Sequence, residues 1–219
     1  MISKVLGRWL LSMVIAVVAI GTIGLMLNPP VRARTNNVVD WPGVFPCNTP
    51  SLQQCIDGVQ PGDVVHIKPG VYTQSVTLAR PVSLIGDEPL TTILYAEPRQ
   101  RVLTVTGDLS LTTVISGLTF TGGNLAGSAC PEACGGAVLI TDTARPTLQN
   151  LLLADNTAYQ GSGMWVVDGA PVKLTNVSFI NNSASDVGGG LFSVSDTWLG
   201  NNYFERNTSL NQGGGAYVA

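Results

Sequence analysis

One pattern recurs through the second half of this 219-residue chain, and its period constrains the fold more than any other feature. An Asn stands at 150, 176 and 201, and three residues later comes an apolar side chain, Leu153, Phe179 or Phe204. Three residues further on is a second Asn, at 156, 182 and 207. Glycine clusters open at 135, 161, 188 and 213, so every marker advances by 25 to 27 residues. An earlier copy, ISGLTFTGG at 115–123, matches with Gly117 and Phe120. Its step to the next copy is 33 residues, and the excess contains GSACPEAC at 127–134, which reads as an insertion projecting from one turn.

A period of this size means stacked structural units, each burying its apolar side on the next. Within a copy lie three short alternating apolar pieces, for example Met164–Val167, Val172–Leu174 and Val177–Ile180, separated by Gly, Pro, Asp or Asn. No window keeps a helical period over three turns, so the pieces are predicted as strands. Three strands per copy, repeated, give an all-β parallel β-helix solenoid with coils about 4.8 Å apart. Phe120, Leu153, Phe179 and Phe204 should then stack in its core. Asn156, Asn182 and Asn207 should form a structural ladder, each amide bonded to the next coil. The glycines read as tight turns and close backbone approaches. Upstream, SLQQCIDGV at 51–59 carries a capping box, Ser51 with Gln54, and apolar Leu52, Ile56 and Val59 on one face. It is predicted as a short amphipathic helix covering the N-terminal end of the solenoid. GDVVHIKPGVYTQSVTLARPVSLIG at 62–86 supplies the first strands.

The chain is 45% apolar and only 11% charged, enough to bury a sizeable core. Lys4 and Arg8 precede an uncharged apolar run from Trp9 to Leu27, and VRA at 31–33 offers a cleavage site after Ala33. Residues 1–33 are therefore either a secretory signal peptide or an uncleaved signal anchor, the only membrane attachment expected. The remaining domain, 34–219, is expected to be secreted or held at the cell surface. Removing Lys4, Arg8 and Arg32 takes the formal charge from −3 to −6. That balance gives no footprint for nucleic acid. The four cysteines form two local pairs, Cys47 with Cys55 and Cys130 with Cys134, which read as disulfides in an oxidising compartment. GGGAYVA at 213–219 begins a further copy with no cap after it, so the β-helix domain is expected to be truncated at its C-terminal end.

GGAV (135–138), GGGL (188–191), FINN (179–182) and FERN (204–207) resemble the paired GGA[I/L/V] and FxxN repeats of chlamydial-type polymorphic outer membrane proteins. That resemblance implies a right-handed parallel β-helix of the pectin-lyase-like superfamily, and a secreted or surface passenger domain, often adhesive. GVYTQ at 70–74 resembles the GxYxE segment of pectin methylesterases, with Gln74 in place of Glu; their later DFIFG motif does not occur. The GHG and RIK strings of galacturonases are absent too, and His66 is the single histidine.

The sequence thus favours a non-catalytic binding or adhesion module for a carbohydrate or protein surface ligand. The alternative is a polysaccharide-degrading enzyme, pectate-lyase-like, acting on acidic polysaccharide. Its candidate residues are Asp142 and Asp168, one period apart, with Arg145 and Lys173 shortly after. Stacked carboxylates suit Ca²⁺, and a neighbouring cation suits a uronate or a general base. Against this, TDTARP and VDGAP also read as Asx turns. Trp165, Trp198, Tyr159 and Tyr217 are candidate contact aromatics whose faces are left open.

Overall fold

Residues 161–190 show how one coil is made. Met164–Val166 runs as a strand, and Val172–Ile180 runs as a second, longer strand. Along it Val172, Leu174, Val177 and Phe179 are buried while Lys173 faces outward, the period-two alternation of a sheet with one face in the core. The alternation slips by one residue at Asn176, whose left-handed φ of 53° bends the strand into two legs. Asn150 does the same one coil earlier, with φ of 50°, and Asn201, with φ of 53°, stands between the separate strands Thr197–Gly200 and Tyr203–Glu205 one coil later. The second and third strand pieces expected from sequence are therefore one continuous bent strand in this coil. A two-residue strand, Ser183–Ala184, adds a third side that the sequence reading lacked. A glycine turn then leads to Leu191–Ser193, which lies in register beside Met164–Val166 one coil away.

The structure, a computed structural model, describes residues 36–219 except Asp168. The expected signal segment, 1–33, lies outside the described residues. Among those described, no helix is long and apolar enough to cross a membrane. The fold is an all-β parallel β-solenoid with one short helix. Among the described residues its three sheets have ten, six and three strands, and every strand pair is parallel. The first sheet passes in order through Val38–Trp41, Val64–Ile67, Ser83–Gly86, Val114–Thr121, Thr147–Ala154, Val172–Ile180 and Thr197–Gly200, one strand per coil.

The core follows from that register. Leu94, Phe120, Leu153, Phe179 and Phe204 pair successively across the first sheet. Phe179 and Phe204 stack with centroids 4.7 Å apart and planes within 1° of parallel. The Phe120-to-Leu153 step keeps the same register despite its extra residues, because the chain leaves the coil after Leu125, which still bonds Thr157, and returns at the Cys130–Cys134 disulfide. The Arg101 guanidinium ties the excursion down by donating to the Pro131 and Glu132 carbonyls, at 2.7 and 2.9 Å. Burial lowers the pKa of that guanidinium.

At the N-terminal end the helix Leu52–Gly58 buries Leu52, Cys55 and Ile56, and the Cys47–Cys55 disulfide holds it to the preceding loop. Ser51 caps it by accepting from the Gln54 N–H. The reciprocal half of the expected capping box is absent: the Gln54 carboxamide bonds the Thr49 hydroxyl, and the Ser51 N–H also goes to Thr49. The strand Val38–Trp41, ahead of the helix, starts the first sheet and was not expected from sequence.

Candidate functional site

The solenoid places functional side chains in rows, because residues in register on neighbouring coils project from one face in a line. Inside, the second Asn of each copy forms such a row. The Asn182 Oδ1 accepts from the Asn156 N–H and Nδ2, at 3.2 and 3.0 Å; Asn207 Oδ1 accepts from the Asn182 N–H and Nδ2, at 3.0 and 2.9 Å. Below, Asn156 Oδ1 accepts from the Gly123 N–H at 2.9 Å. Asn156 and Asn182 are wholly buried. This row holds coils together and presents nothing to a ligand.

On the outer face of the first leg, a different row faces solvent. Thr147, Lys173 and Trp198 are in register on three successive coils. The Trp198 side chain is 55% exposed, and the Lys173 ammonium lies 4.9 Å from its ring centroid. Gly200 makes this possible: a Cβ there would stand 2.5 Å from the indole, so any larger residue would push the ring away. The turns that lead into these strands form one wall, carrying Arg145, Pro171 and Asp196, and Leu111 closes the lower side. The resulting open groove has a volume of about 510 Å³. Among the described lining residues it holds two cations and one carboxylate.

Of the residues singled out from sequence, Arg145 and Lys173 meet in this groove. Asp142 is engaged elsewhere. Its Oδ2 accepts from the Thr106 hydroxyl and from the Gly107 N–H, the latter at 3.1 Å, both on the preceding coil. These bonds hold the Asp142 carboxyl below its ordinary range. Asp168, its expected stacking partner for Ca²⁺, lies outside the described residues. Among those described, no group of three carboxylate, His or Cys side chains converges as a metal-ligand set. Cys47–Cys55 and Cys130–Cys134 are both disulfides, and no described cysteine is free.

The other candidate aromatics are occupied. Trp165, Phe192 and Tyr217 stack face to face on the second sheet, at 6.1 and 5.4 Å between centroids, so each ring covers the next. Tyr159 hydrogen-bonds Asp186, which raises the phenol pKa, while Gln160 and Asn211 hold that carboxyl low by donating to it at 2.6 Å each.

Sequence reasoning missed a third outer row. His66 lies between Asp40 and Asp87, with Nδ1 2.8 Å from one carboxylate and Nε2 2.7 Å from the other. The Lys68 ammonium is 3.6 Å from Asp40. Hydrogen bonds to Asp40 and Asp87 raise the His66 pKa, and His66 holds Asp40 low. Both ring nitrogens are used, so the imidazole offers neither to a substrate. The available signal was the 26-residue step from Asp40 to His66, one coil.

No protein-family model and no curated protein matches the chain. Solved structures do. The pectin methylesterase PemA from Erwinia chrysanthemi superposes with a TM-score of 0.53 at 17% identity, over 76% of this chain. The match covers 54% of PemA, so the chain spans about half the length of that enzyme. The β-helix fold is shared with pectin methylesterases. A pectin methylesterase mutant in complex with a hexasaccharide gives a TM-score of 0.45 at 13% identity, over 77% of this chain and 67% of that one. At these identities the likeness concerns the fold. The repeat motifs GGAV and FINN therefore keep their resemblance to polymorphic outer membrane proteins on the quoted residues alone. Gln74, in the GVYTQ segment, has a structural task here: its Oε1 accepts from the Leu52 N–H and its Nε2 donates to the Pro50 carbonyl, at 3.1 and 3.2 Å. It fastens the start of the helix to the solenoid.

Proposed function

We propose that the protein is a secreted or cell-surface β-helix module that binds an anionic glycan without transforming it. The observation that carries this reading is the exposed Trp198 ring with the Lys173 ammonium 4.9 Å from its centroid and Arg145 in the same groove. An indole offers a flat apolar face to the C–H side of a sugar ring. Guanidinium and ammonium groups beside it suit a carboxylate on that sugar, Arg as a planar fork and Lys as a point charge. The chain carries a formal charge of −3, so attraction for an anionic polymer depends on local cations such as these and is screened within about 10 Å at 0.1 M salt. The two disulfides are consistent with an oxidising, extracellular setting.

The test is calorimetric titration of the full-length protein with short oligogalacturonates at low and high salt. Trp198→Ala is expected to weaken binding at least tenfold. Lys173→Gln and Arg145→Gln are expected to weaken it at low salt and to reduce its salt dependence. Unchanged affinity in all three variants would refute the reading. Release of an unsaturated product or of a shortened chain would replace it with polysaccharide degradation.

A further inference from the structure

Charge is scarce in this chain, and most of the described cations are engaged. Lys68 and Arg206 pair with Asp40 and Glu205, and Arg80 and Arg101 donate to the carbonyls of Asp57 and Pro131. Arg145 and Lys173 make no ion pair among the described residues, and both line the Trp198 groove. Beside them Leu111 and Trp198 are each 55% exposed. A counterpart stands elsewhere on the same molecule. The turn 87–90 rises over the outer face of the second leg, where Pro89 and Leu90 wall a cavity floored by Leu152 and Ser178. Leu90 is 78% exposed. Of the most exposed apolar side chains, Val44, Phe45, Leu90 and Leu210, it alone has a carboxylate within two residues, that of Glu88. Among the described residues that carboxylate has no partner. The turn itself is held from three sides. The Glu88 carbonyl accepts from the Thr91 and Thr92 N–H groups at 3.1 and 2.9 Å, the Pro89 carbonyl accepts from the Thr119 hydroxyl, and Asp87 Oδ1 lies 2.7 Å from His66 Nε2. Its tip is preorganised and loses little freedom on docking.

We infer that the Trp198 groove docks the 87–90 turn of a second copy of this chain, with Leu90 against the indole and Leu111, and the Glu88 carboxylate beside Lys173 and Arg145. The inference goes beyond glycan binding and does not rest on it. Complementarity selects the second copy: the groove offers apolar surface and free cations, the turn an apolar tip and a free anion, so each meets what the other lacks. At about 510 Å³ the open groove is large enough for the tip of a turn. The two do not meet within one copy. The turn stands over the second leg, while the groove lies on the first leg three coils further on, roughly 14 Å along the axis. Each copy therefore carries one turn and one groove, and the contact joins unlike surfaces. A single turn in a groove buries less than a standard interface, so the association is weak and reversible, and salt weakens it further. A groove filled by the turn is closed to any other ligand.

Sedimentation velocity of the full-length protein over a concentration series tests this. The parent's mean mass should rise with concentration and fall back at high salt. Glu88→Lys and Lys173→Glu each place like charges in the contact and should weaken association at least tenfold. Leu90→Ser, which changes no charge, should do the same. All three side chains are exposed, so circular dichroism should show the variants folded as the parent is. The mixture decides. Equimolar Glu88→Lys and Lys173→Glu restore opposite charges wherever unlike copies meet, and should recover the parent's association to within about threefold. A parent mass that does not change with concentration, single variants that associate as the parent does, or a mixture no more associated than either variant alone would overturn the docking. Residues 1–35 are common to every variant, so association through them would appear in all and count against the inference.

Discussion

Replacing Asn182 by Ala should cost the solenoid far more than an ordinary polar-to-Ala change, and the structure says by how much. The Asn182 side chain is wholly buried and takes part in four hydrogen bonds. Its Oδ1 is the acceptor for the Asn156 backbone N–H; its Nδ2 donates to the Leu153 carbonyl at 2.9 Å and to Asn207 Oδ1 at 2.9 Å. Alanine supplies neither group. The Asn156 Nδ2 retains the Phe120 and Ala154 carbonyls, and Asn207 Oδ1 retains the Asn182 N–H, so these suffer little. The Asn156 N–H and the Leu153 carbonyl lose a partner in the interior. Each buried group left unpaired costs about 1–3 kcal/mol, which places the total near 2–6 kcal/mol.

With a urea dependence of about 2 kcal/mol per molar, a loss of about 3 kcal/mol lowers the midpoint of unfolding by roughly 1.5 M. Asn182→Asp separates hydrogen bonding from packing. It keeps the shape and the Oδ1 acceptor but turns the Nδ2 donor into an oxygen facing two oxygens. It should therefore be less stable than the Ala variant at neutral pH and recover part of the loss on acidification, when a protonated carboxyl can donate. Urea titrations followed by circular dichroism at pH 7 and pH 4 give all four numbers. An Ala midpoint equal to the parent's, or an Asp variant more stable than Ala at neutral pH, would refute the accounting.

Three further outcomes follow from the same geometry. Because its two carboxylate partners raise the His66 pKa, its stabilising contribution is full below its ordinary 6.5 and is lost as pH rises through the higher folded value. Asp40, held low, contributes above its ordinary 3.8 and loses that only as pH falls through a lower value; His66→Gln should flatten the alkaline decline in a pH series of unfolding midpoints. A Cβ at Gly123 would overlap the Gly136 carbonyl oxygen, which cannot move without its coil, so Gly123→Ala should cost about 3 kcal/mol or more. Gly169→Ala meets nothing within 4 Å and should cost only about 1 kcal/mol for its left-handed φ, a contrast that thermal melts resolve. Removing Cys47–Cys55 together, a separation of eight residues, should lower stability by roughly 2–3 kcal/mol, and removing Cys130–Cys134, a separation of four, by somewhat less; denaturant midpoints of the two double Ala variants check the order.

The period made the stacking legible because a parallel solenoid turns sequence spacing into register. Leu153, Phe179 and Phe204 lie in one row for the reason that Asn156, Asn182 and Asn207 lie in another: equal steps bring equal positions together. The first coil escaped this logic. Val38–Trp41 follows Asn36 and Asn37 and precedes Gly43, but these do not keep the Asn-to-apolar-to-Asn spacing of the later copies, and four residues with one fully buried side chain give no periodic signal. Yet it pairs with Val64–Ile67 residue for residue, 26 positions on. The fusion of two strand pieces was also out of reach. An Asn between apolar runs reads as a turn, whereas its backbone here bends the strand at Asn176 without ending the pairing with the neighbouring coils.

The outer faces were less legible because spacing specifies which residues are neighbours, not what their side chains reach for. Asp142 turns to the coil below it and is satisfied there by Thr106 and Gly107. Arg145 and Lys173 are 28 residues apart, off the strict period, but one stands on a turn and the other on the strand after the next such turn, so both line one groove. What distinguishes this face from the interior is how its row changes. The inner row keeps one chemistry from coil to coil: Leu94, Phe120, Leu153, Phe179, Phe204. A core needs only apolar volume at each level, so any other residue there is penalised by burial. The outer row passes from Val64 through Ser83, Val114 and Thr147 to Lys173 and Trp198. Solvent imposes no such uniformity, and a stalk surface would be satisfied by polar residues alone. An exposed indole flanked by two cations departs from that minimum. The departure occurs where the row meets the Arg145 turn, and the proposed binding site lies at that end of the face for this reason.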